Sequence, residues 1–304
     1  MKASDIQIDN YISMLLKGPW GFGKTLAAAS FALEGPVYLA YWDKKGPIEL
    51  LSYFSKFGAK GKKILDNIEF DIYGAENANE YLNKIIKTSK DPRYVAFITD
   101  SFTNLTSGAV NWSLSFRDDR KNKDKLQLIP SWDEYKTETN LVTQALDIFR
   151  TMPCHVIWTA HPVTSTRIEG SGASIKVSKV IRLVSYGNKV GDIAPGNFSE
   201  IYHFSKQSNW NQSDGKSSIR YIVSTNDAGD DFAKSNLGLT GDIDITDVLF
   251  YEVWKVKVKE HNDLMMKRLA EQVAEEPKNP FQTNQPNTTE QNVNSLEEKT
   301  KWRV

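Results

Sequence analysis

Residues 11–25 read YISMLLKGPWGFGKT and contain the most informative motif of the chain. Its second part, residues 18–25, matches in full the pattern GxxxxGK followed by Ser or Thr. The apolar run at 11–16 predicts a β-strand before the glycines, and the Ala-rich run at 24–33 predicts a helix after them. A glycine-rich loop between a strand and a helix points backbone N–H groups at phosphate oxygens. The stretch therefore predicts a P-loop that binds a nucleoside triphosphate.

The residues of this loop have distinct expected roles toward ATP and Mg²⁺. Lys24 is expected to contact the β- and γ-phosphates, and the Thr25 hydroxyl is expected to ligate Mg²⁺. The glycines allow the backbone to wrap closely around the phosphates. The remaining residues expected to contact the nucleotide are Gly18, Pro19, Trp20, Gly21, Phe22 and Gly23.

Two near-matches to guanine-nucleotide motifs fail. Residues 43–46, DKKG, fit the pattern DxxG but follow the first strand–helix unit too closely. Residues 122–125, NKDK, resemble NKxD, yet Lys125 stands where the base-reading aspartate is required. The sequence therefore predicts ATP rather than GTP as the nucleotide.

Strand-like and helix-like segments alternate over the first 160 residues. Further apolar runs that predict strands lie at 37–42, 68–73, 94–99 and 155–160. Segments with helical spacing lie at 47–57, 77–90 and 132–150. Strands that alternate with helices need crossover connections, which produce a mostly parallel sheet covered on both faces. The sequence therefore predicts a doubly wound α/β fold.

The second half of the chain has a different character. Residues 162–185 are polar, basic and glycine-containing, and we expect a long mobile loop. The segments 200–206 and 218–225 predict two strands that flank a polar turn at 209–215, which is a β-hairpin at the sheet edge. We predict an ATPase core at 1–245, a C-terminal helix at 246–276 and a disordered tail at 277–304, where Asn, Gln, Thr, Pro and Glu dominate.

Polar residues that end predicted strands are candidates for the chemistry of hydrolysis. Asp100 follows an apolar run and either completes the Mg²⁺ shell or caps the next helix, or does both. Asp43 ends the second strand and either activates the attacking water or begins a loop. His161 ends the last core strand, where it either senses the γ-phosphate or is structural. Glu134 and Glu138 are weaker candidates, because polar residues of a long helix usually face solvent.

Composition narrows the class of protein. The 38 basic and 38 acidic residues give a net charge of zero, so no overall field attracts the chain to nucleic acid. The single cysteine, Cys154, excludes an intramolecular disulfide and fits a reducing compartment. No apolar run has the length of a membrane span or a signal-peptide core. We therefore expect a soluble cytoplasmic protein without a membrane partner.

Four features occur in an order that resembles the RecA-like phage ATPases. They are the P-loop, the strand end Asp100-Ser101, the helix start SWDEY at 131–135 and the strand end Thr159-Ala160-His161. This family includes recombinases of the single-strand-annealing kind related to RecA and RadB. The resemblance covers residues 10–240 and implies a RecA-like core that acts in DNA recombination or repair, in the host cytoplasm. It also implies ATP-linked assembly into a ring or filament on single-stranded DNA.

The resemblance carries residue roles with it. His161 would report the γ-phosphate to the following segment, 162–185, which would contact DNA. Lys234 would reach the nucleotide of a neighbouring subunit and stabilise transition-state charge. The DNA phosphate contacts would be Arg167, Lys176, Lys179 and Arg182.

One position departs from the family pattern. In RecA-type proteins a glutamate follows the second strand and activates water, whereas residues 42–46 read WDKKG, with Lys45 at the glutamate position. Either Asp43 takes over this role, or hydrolysis is slow and binding does most of the switching. Two alternatives therefore stay open: a motor or assembly ATPase for phage packaging or replication loading, and a nucleotide-switched interaction module. In the module, the tail that carries Trp302 would dock a protein partner.

Overall fold

The computed structural model describes residues 11–43, 47–116, 129–169, 176–211, 216–226 and 232–275, and is built around a β-sheet. In these residues the sheet has nine strands, and two further strands pair with each other. In chain order the strands are β1 (Ser13–Lys17), β2 (Val37–Tyr41), β3 (Ile68–Ile72), β4 (Ala96–Asp100), β5 (His155–Ala160), β6 (Pro162–Glu169), β7 (Lys176–Leu183), β8 (Glu200–Asn211), β9 (Lys216–Ser224), β10 (Lys234–Ser235) and β11 (Asp242–Asp244).

Helices connect the strands. They are α1 (Lys24–Ala29), α2 (Ile48–Phe54), α3 (Gly58–Asp66), α4 (Ala78–Thr88), α5 (Phe102–Ser115), α6 (Trp132–Phe149), α7 (Asn188–Ile193) and α8 (Phe250–Glu275). The sequence pattern did not predict α3, whose glycines have poor helix propensity. Gly61 of α3 lies so close to α2 that an added Cβ would meet the Phe54 carbonyl oxygen at 1.7 Å. This close packing, rather than intrinsic propensity, places α3.

The strand order is that of a doubly wound α/β fold, as predicted. Six strands run parallel in the order β8-β1-β5-β4-β2-β3. Strands β9 and β10 each pair antiparallel with β8, and β11 pairs antiparallel with β9. The strand β5 lies between β1, which leads into the P-loop, and β4, which ends at Asp100. The carboxyl ends of these parallel strands therefore meet at one edge of the sheet.

Two hydrophobic clusters cover the two faces of the sheet. One contains side chains of α4 and α6, such as Tyr81 and Leu146. The other contains Phe31, Phe54 and Trp254, which follow α1 or belong to α2 and α8. Helices on both faces explain why β2 and β4 are buried along their whole length.

The prediction of a long loop at 162–185 was wrong. Strands β6 and β7 form an antiparallel pair, with Pro162 opposite Leu183 and Glu169 opposite Lys176. These strands are rich in Val, Ile and Thr, whose branched side chains favour extended backbone. This preference outweighs the polar composition that suggested a loop. Residues 170–175 lie outside the described residues.

The C-terminal half otherwise follows the predicted order. The hairpin β8–β9 is longer than expected, and β11 rather than β9 forms the edge of the sheet. The described chain falls into two compact units, one up to His261 and one from Asn262. The predicted tail at 277–304 lies outside the described residues, and the domain boundaries stay predictions. Among the helices described, none combines the length and apolarity needed to cross a membrane.

Candidate nucleotide site

The loop between β1 and α1 has the backbone conformation that its glycines allow. Gly21 and Gly23 have φ values of 71° and 86°, in the left-handed region that favours glycine. Gly18 packs against β8, where an added Cβ would lie 2.6 Å from the Phe204 carbonyl oxygen. The Gly18 N–H donates a hydrogen bond to the Ala160 carbonyl at 3.3 Å, which ties the loop to the end of β5.

Lys24 lies inside the loop. Its Nζ donates hydrogen bonds to the carbonyl oxygens of Gly18 and Pro19, each at 2.7 Å. The side chain is 5% exposed. Burial lowers its pKa to about 8, against the opposing attraction of Asp100. The ammonium group therefore lies where incoming phosphate oxygens can replace the loop carbonyls as its partners.

Asp100 is brought next to Thr25 by the parallel strands β4 and β5. The Thr25 hydroxyl donates to Asp100 Oδ2 at 2.7 Å, and the Thr159 hydroxyl donates to the other carboxylate oxygen. Burial raises the Asp100 pKa, while these hydrogen bonds and Lys24 oppose the shift. The helix α5 is capped by Ser101, whose hydroxyl accepts from the Asn104 N–H at 3.3 Å. The alternative role of Asp100 as this cap is therefore not adopted.

The pair formed by Thr25 and Asp100 fits a magnesium ion. Both residues line a cavity of about 400 Å³ at the carboxyl edge of the sheet, together with Lys24 and His161. A hydroxyl and a carboxylate are hard oxygen donors, and Mg²⁺ binds through one or two such groups plus phosphate oxygens and waters. In the described ranges no group of three or more His, Cys, Asp or Glu side chains forms a closed metal cage. Two protein donors leave the other positions around such an ion to phosphate oxygens and waters.

His161 joins the loop to the elements on its other side. Its Nδ1 lies 3.2 Å from the Gly18 carbonyl oxygen and 3.4 Å from Lys24 Nζ. Burial lowers the pKa of His161 to about 4, and the positive charge of Lys24 acts in the same direction. The ring is therefore neutral at pH 7. The ring of Trp20, which is 75% exposed, lies over it at a centroid distance of 4.5 Å. The His161 carbonyl accepts from the Val184 N–H at 2.8 Å, just beyond β7.

Two further carboxylates line the same cavity. Asp43, predicted from the sequence, is exposed two residues beyond β2. Glu49, which the sequence reasoning missed, lies in the first turn of α2 and accepts a hydrogen bond from the Tyr41 hydroxyl at 2.9 Å. No local signal in the sequence connects a glutamate within a helix to the strand ends that form the site. Residues 44–46, including Lys45, lie outside the described residues.

A second cavity, of about 320 Å³, adjoins the P-loop on the side of α8. It shares Gly21, Gly23 and Leu26 with the first cavity. Its walls include two tyrosines, Tyr53 and Tyr221, and the sequence pattern gave no sign of it. The remaining lining residues are Ala27, Ser30, Lys56, Ile245, Asp247, Val248, Leu249 and Phe250.

The prediction that Glu134 and Glu138 face solvent was wrong, because both are buried. Glu134 accepts from the N–H and hydroxyl of Ser131, at 2.6 and 2.5 Å, and so caps the start of α6. Glu138 accepts from the N–H groups of Tyr186 and Gly187, at 3.1 and 2.7 Å. Burial raises the pKa of Glu138 to about 7. Neither glutamate is among the residues that line the phosphate cavity, and the contacts described for both are with the backbone or side chains of neighbouring segments.

The predicted DNA-contact residues lie on the hairpin β6–β7. The backbone of Arg167 pairs with Ser178, and that of Lys179 pairs with Thr166. The side chains of Arg167, Lys176 and Lys179 lie outside the described part of the chain. Arg182 forms an ion pair with Asp192, with Nε 3.3 Å from Oδ1.

Lys234 lies away from the phosphate cavity of its own chain. It belongs to β10, where its backbone is opposite Ile201 of β8. Together with Arg182 and Phe232 it lines a separate cavity of about 290 Å³.

Strand β5 between β1 and β4, the P-loop lysine and the Thr25–Asp100 pair define a P-loop domain with a doubly wound α/β fold. Within this class, residues 10–223 match the model of the AAA_24 family, described as an AAA domain, and the chain belongs to that family. A comparison with curated proteins finds no match.

Two solved structures are similar at low identity. A KaiC-like protein from the hyperthermophilic archaeon Pyrococcus horikoshii OT3 has 15% identity and a TM-score of 0.42, over 77% of this chain and 88% of that one. A RadB recombinase has 13% identity and a TM-score of 0.39, over 70% of this chain and 79% of that one. A likeness at this level says nothing about what the present chain binds.

Proposed function

We propose that this protein binds ATP with Mg²⁺ at the carboxyl edge of its sheet and hydrolyses it. The observation that carries the proposal is the Thr25–Asp100 contact of 2.7 Å at the mouth of a glycine loop that contains a buried lysine. These are the protein groups that triphosphate binding with a shared magnesium ion requires.

Each group has a role in this proposal. Lys24 exchanges the carbonyls of Gly18 and Pro19 for phosphate oxygens, whose negative charge stabilises its ammonium form. Thr25 and Asp100 hold Mg²⁺, which when bound neutralises charge on the β- and γ-phosphate oxygens. The hydroxyl groups of Thr25 and Thr159 favour the ionised form of Asp100, as a metal ligand requires.

The second cavity is the proposed site of the adenine base. Its volume of about 320 Å³ suits a purine, and it opens beside the same glycines as the phosphate cavity. Tyr53 and Tyr221 provide aromatic surface for the base. The Asp247 carboxylate at its wall is an acceptor within the cavity for the exocyclic amino group of adenine.

We further propose that the hairpin β6–β7 binds single-stranded DNA and that the ATPase acts in recombination or repair. Both ends of the hairpin are tied to the phosphate cavity, because His161 immediately precedes β6 and its carbonyl accepts from Val184 after β7. The basic residues of the two strands supply charge for backbone phosphates. Arg182 is the weakest of these candidates, since Asp192 already pairs with it.

Assembly and partners belong to the same proposal. Lys234 lies outside the phosphate cavity of its own chain, which favours a role at the nucleotide of a neighbouring subunit in a ring or filament. The segment 277–304 is the proposed docking segment for a protein partner. Phage origin is a prediction from the sequence resemblance alone.

The test is ATP hydrolysis without DNA, with single-stranded DNA and with duplex DNA. We expect hydrolysis that single strands stimulate and that is lost in Lys24→Ala and Asp100→Ala. The exposed Lys62→Ala on α3 is the matched control and should keep the wild-type rate. Hydrolysis that duplex DNA stimulates and single-stranded DNA does not would contradict the proposed role in recombination. It would favour a motor or assembly ATPase. ATP binding without phosphate release would instead support the nucleotide-switched module.

A further inference from the structure

A second lysine reaches the P-loop from the neighbouring strand β8. This strand runs parallel to β1 and continues beyond it, since His203 of β8 lies opposite Lys17, the last residue of β1. Lys206 lies further along β8, and its Nζ is 4.0 Å from the position of a Cβ added to Gly21. The ammonium group of Lys206 therefore lies beside the glycine loop.

Two aromatic rings hold this ammonium group. Lys206 Nζ lies 4.6 Å from the ring centroid of Phe22 and 5.2 Å from that of Tyr221, within the range of a cation–π attraction. Lys206 is directly opposite Tyr221 in the β8–β9 ladder, so the two side chains share one face of the sheet. Phe22 lines the phosphate cavity, and Tyr221 lines the second cavity. The ammonium group is thus held by one residue of each cavity.

A nucleotide that fills both cavities must pass from one to the other beside Lys206. In the proposed function the base lies in the second cavity, and the β- and γ-phosphates lie at Lys24. The ribose and the α-phosphate join these two parts, so they must lie at the residues that both cavities share. These shared residues are Gly21, Gly23 and Leu26. Because Lys206 Nζ lies beside Gly21, the path of the nucleotide brings an anionic phosphate close to a cation.

We infer that Lys206 binds the α-phosphate of the nucleotide and that Phe22 and Tyr221 are its positioning residues; this rests on the proposed nucleotide binding. The ammonium group leaves the two rings and donates a hydrogen bond to an α-phosphate oxygen, a movement that the flexible lysine stem allows. Lys24 acts on the β- and γ-phosphates, whereas Lys206 acts on a phosphate that ATP and ADP have in common. The contribution of Lys206 to affinity is therefore the same for both nucleotides.

The test compares the dissociation constants of ATP and ADP, measured by titration calorimetry, for wild type and variants of Lys206. Lys206 is exposed, so its replacement leaves the core unchanged. We expect Lys206→Met to raise both constants about tenfold, which is the loss of one hydrogen bond to a charged group. Methionine keeps an apolar stem, so this loss reports the charge. Lys206→Arg should stay within about threefold of wild type, because arginine keeps the charge and stacks on aromatic rings. The matched control is Lys62→Met at an exposed site on α3.

AMP and adenosine separate the contact with the phosphate from any effect on the base. Their binding is measured by displacement of bound ADP. We expect Lys206→Met to weaken the binding of AMP by the same factor as that of ADP. The binding of adenosine, which has no phosphate, should be unchanged.

Phe22→Leu tests the positioning role. Loss of one cation–π contact should raise the ADP dissociation constant about 2- to 5-fold. In the double variant Phe22→Leu/Lys206→Met the constant should equal that of Lys206→Met alone, because a positioning residue acts only through its partner. Additive effects of the two changes would contradict this role.

Three further results would overturn the inference. One is a Lys206→Met protein that binds ATP and ADP as wild type does. Another is a Lys206→Met protein that loses affinity for adenosine as much as for AMP, which would connect the lysine to the base. The third is a loss of ADP affinity in Lys56→Met rather than in Lys206→Met, which would assign the phosphate to Lys56 in the second cavity. Each of these leaves the proposed function standing, whereas a wild-type protein that binds neither ATP nor ADP overturns both.

Discussion

ATP binding should weaken steeply above pH 8, because the lysine that receives the phosphates is buried. Burial lowers the Lys24 pKa from 10.5 to about 8 in the free protein. The shift corresponds to about 3 kcal/mol between the charged and neutral forms. Bound phosphates favour the ammonium form, so ATP binding must take up a proton wherever free Lys24 is neutral. The apparent dissociation constant should then rise about tenfold per pH unit above pH 8.

Titration calorimetry measures this coupling directly. At pH 9, in buffers of different ionisation enthalpy, we expect uptake of about 0.9 proton per ATP bound. The terminal phosphate has a pKa of about 6 and does not titrate in this range. Lys24→Arg is the matched control. Arginine stays protonated in this range, so the ATP affinity of this variant should be independent of pH. Equal wild-type affinities at pH 8 and pH 9.5, with the fold intact by circular dichroism, would refute the reasoning.

Two further predictions concern stability. Gly18→Ala would place a methyl group 2.6 Å from the Phe204 carbonyl oxygen, so it should lower the free energy of unfolding by about 1–3 kcal/mol and weaken ATP binding. Denaturant unfolding should show no such loss for Gly196→Ala, where an added Cβ meets nothing within 4 Å. Burial raises the pKa of Glu138 from 4.5 to about 7, so its stabilising contribution is complete below pH 4.5 and is lost as pH rises through 7, a change of about 3 kcal/mol. The difference in unfolding free energy between wild type and Glu138→Gln should therefore vary with pH between 5 and 8, and a constant difference would contradict the burial argument.

The sheet was predictable because its strands are short apolar runs buried on both faces. Strand β5 was predicted to the residue, and Asp100 and His161, chosen because they end predicted parallel strands, both line the phosphate cavity. The hairpin β6–β7 was missed because its polar residues hid the extended preference of its Val, Ile and Thr residues. Polarity reports exposure and does not by itself distinguish a loop from an exposed strand pair.

The candidate site also has a part that could be predicted from the sequence and a part that could not. The P-loop is contiguous in the sequence, so its lysine, threonine and glycines could be identified together. Glu49 reaches the cavity only because Tyr41 and α2 bring it there, and that contact depends on tertiary structure. Glu138 was wrongly predicted to face solvent for a related reason. The backbone N–H groups from which it accepts hydrogen bonds lie 48 and 49 residues away in the chain.

The Gly18 carbonyl oxygen lies within hydrogen-bond distance of both Lys24 and His161, so the proposed nucleotide binding would act on His161 through it. In the structure the Gly18 carbonyl accepts from Lys24 Nζ at 2.7 Å and lies 3.2 Å from His161 Nδ1. When Lys24 turns to phosphate oxygens, the carbonyl loses its stronger donor. A hydrogen bond from His161 Nδ1 would then be the remaining side-chain contact of this carbonyl, and it requires the ring proton on Nδ1. If nucleotide binds as proposed, it would therefore favour one tautomer of His161, and the backbone carbonyl of His161 accepts a hydrogen bond from Val184 at the base of the hairpin β6–β7.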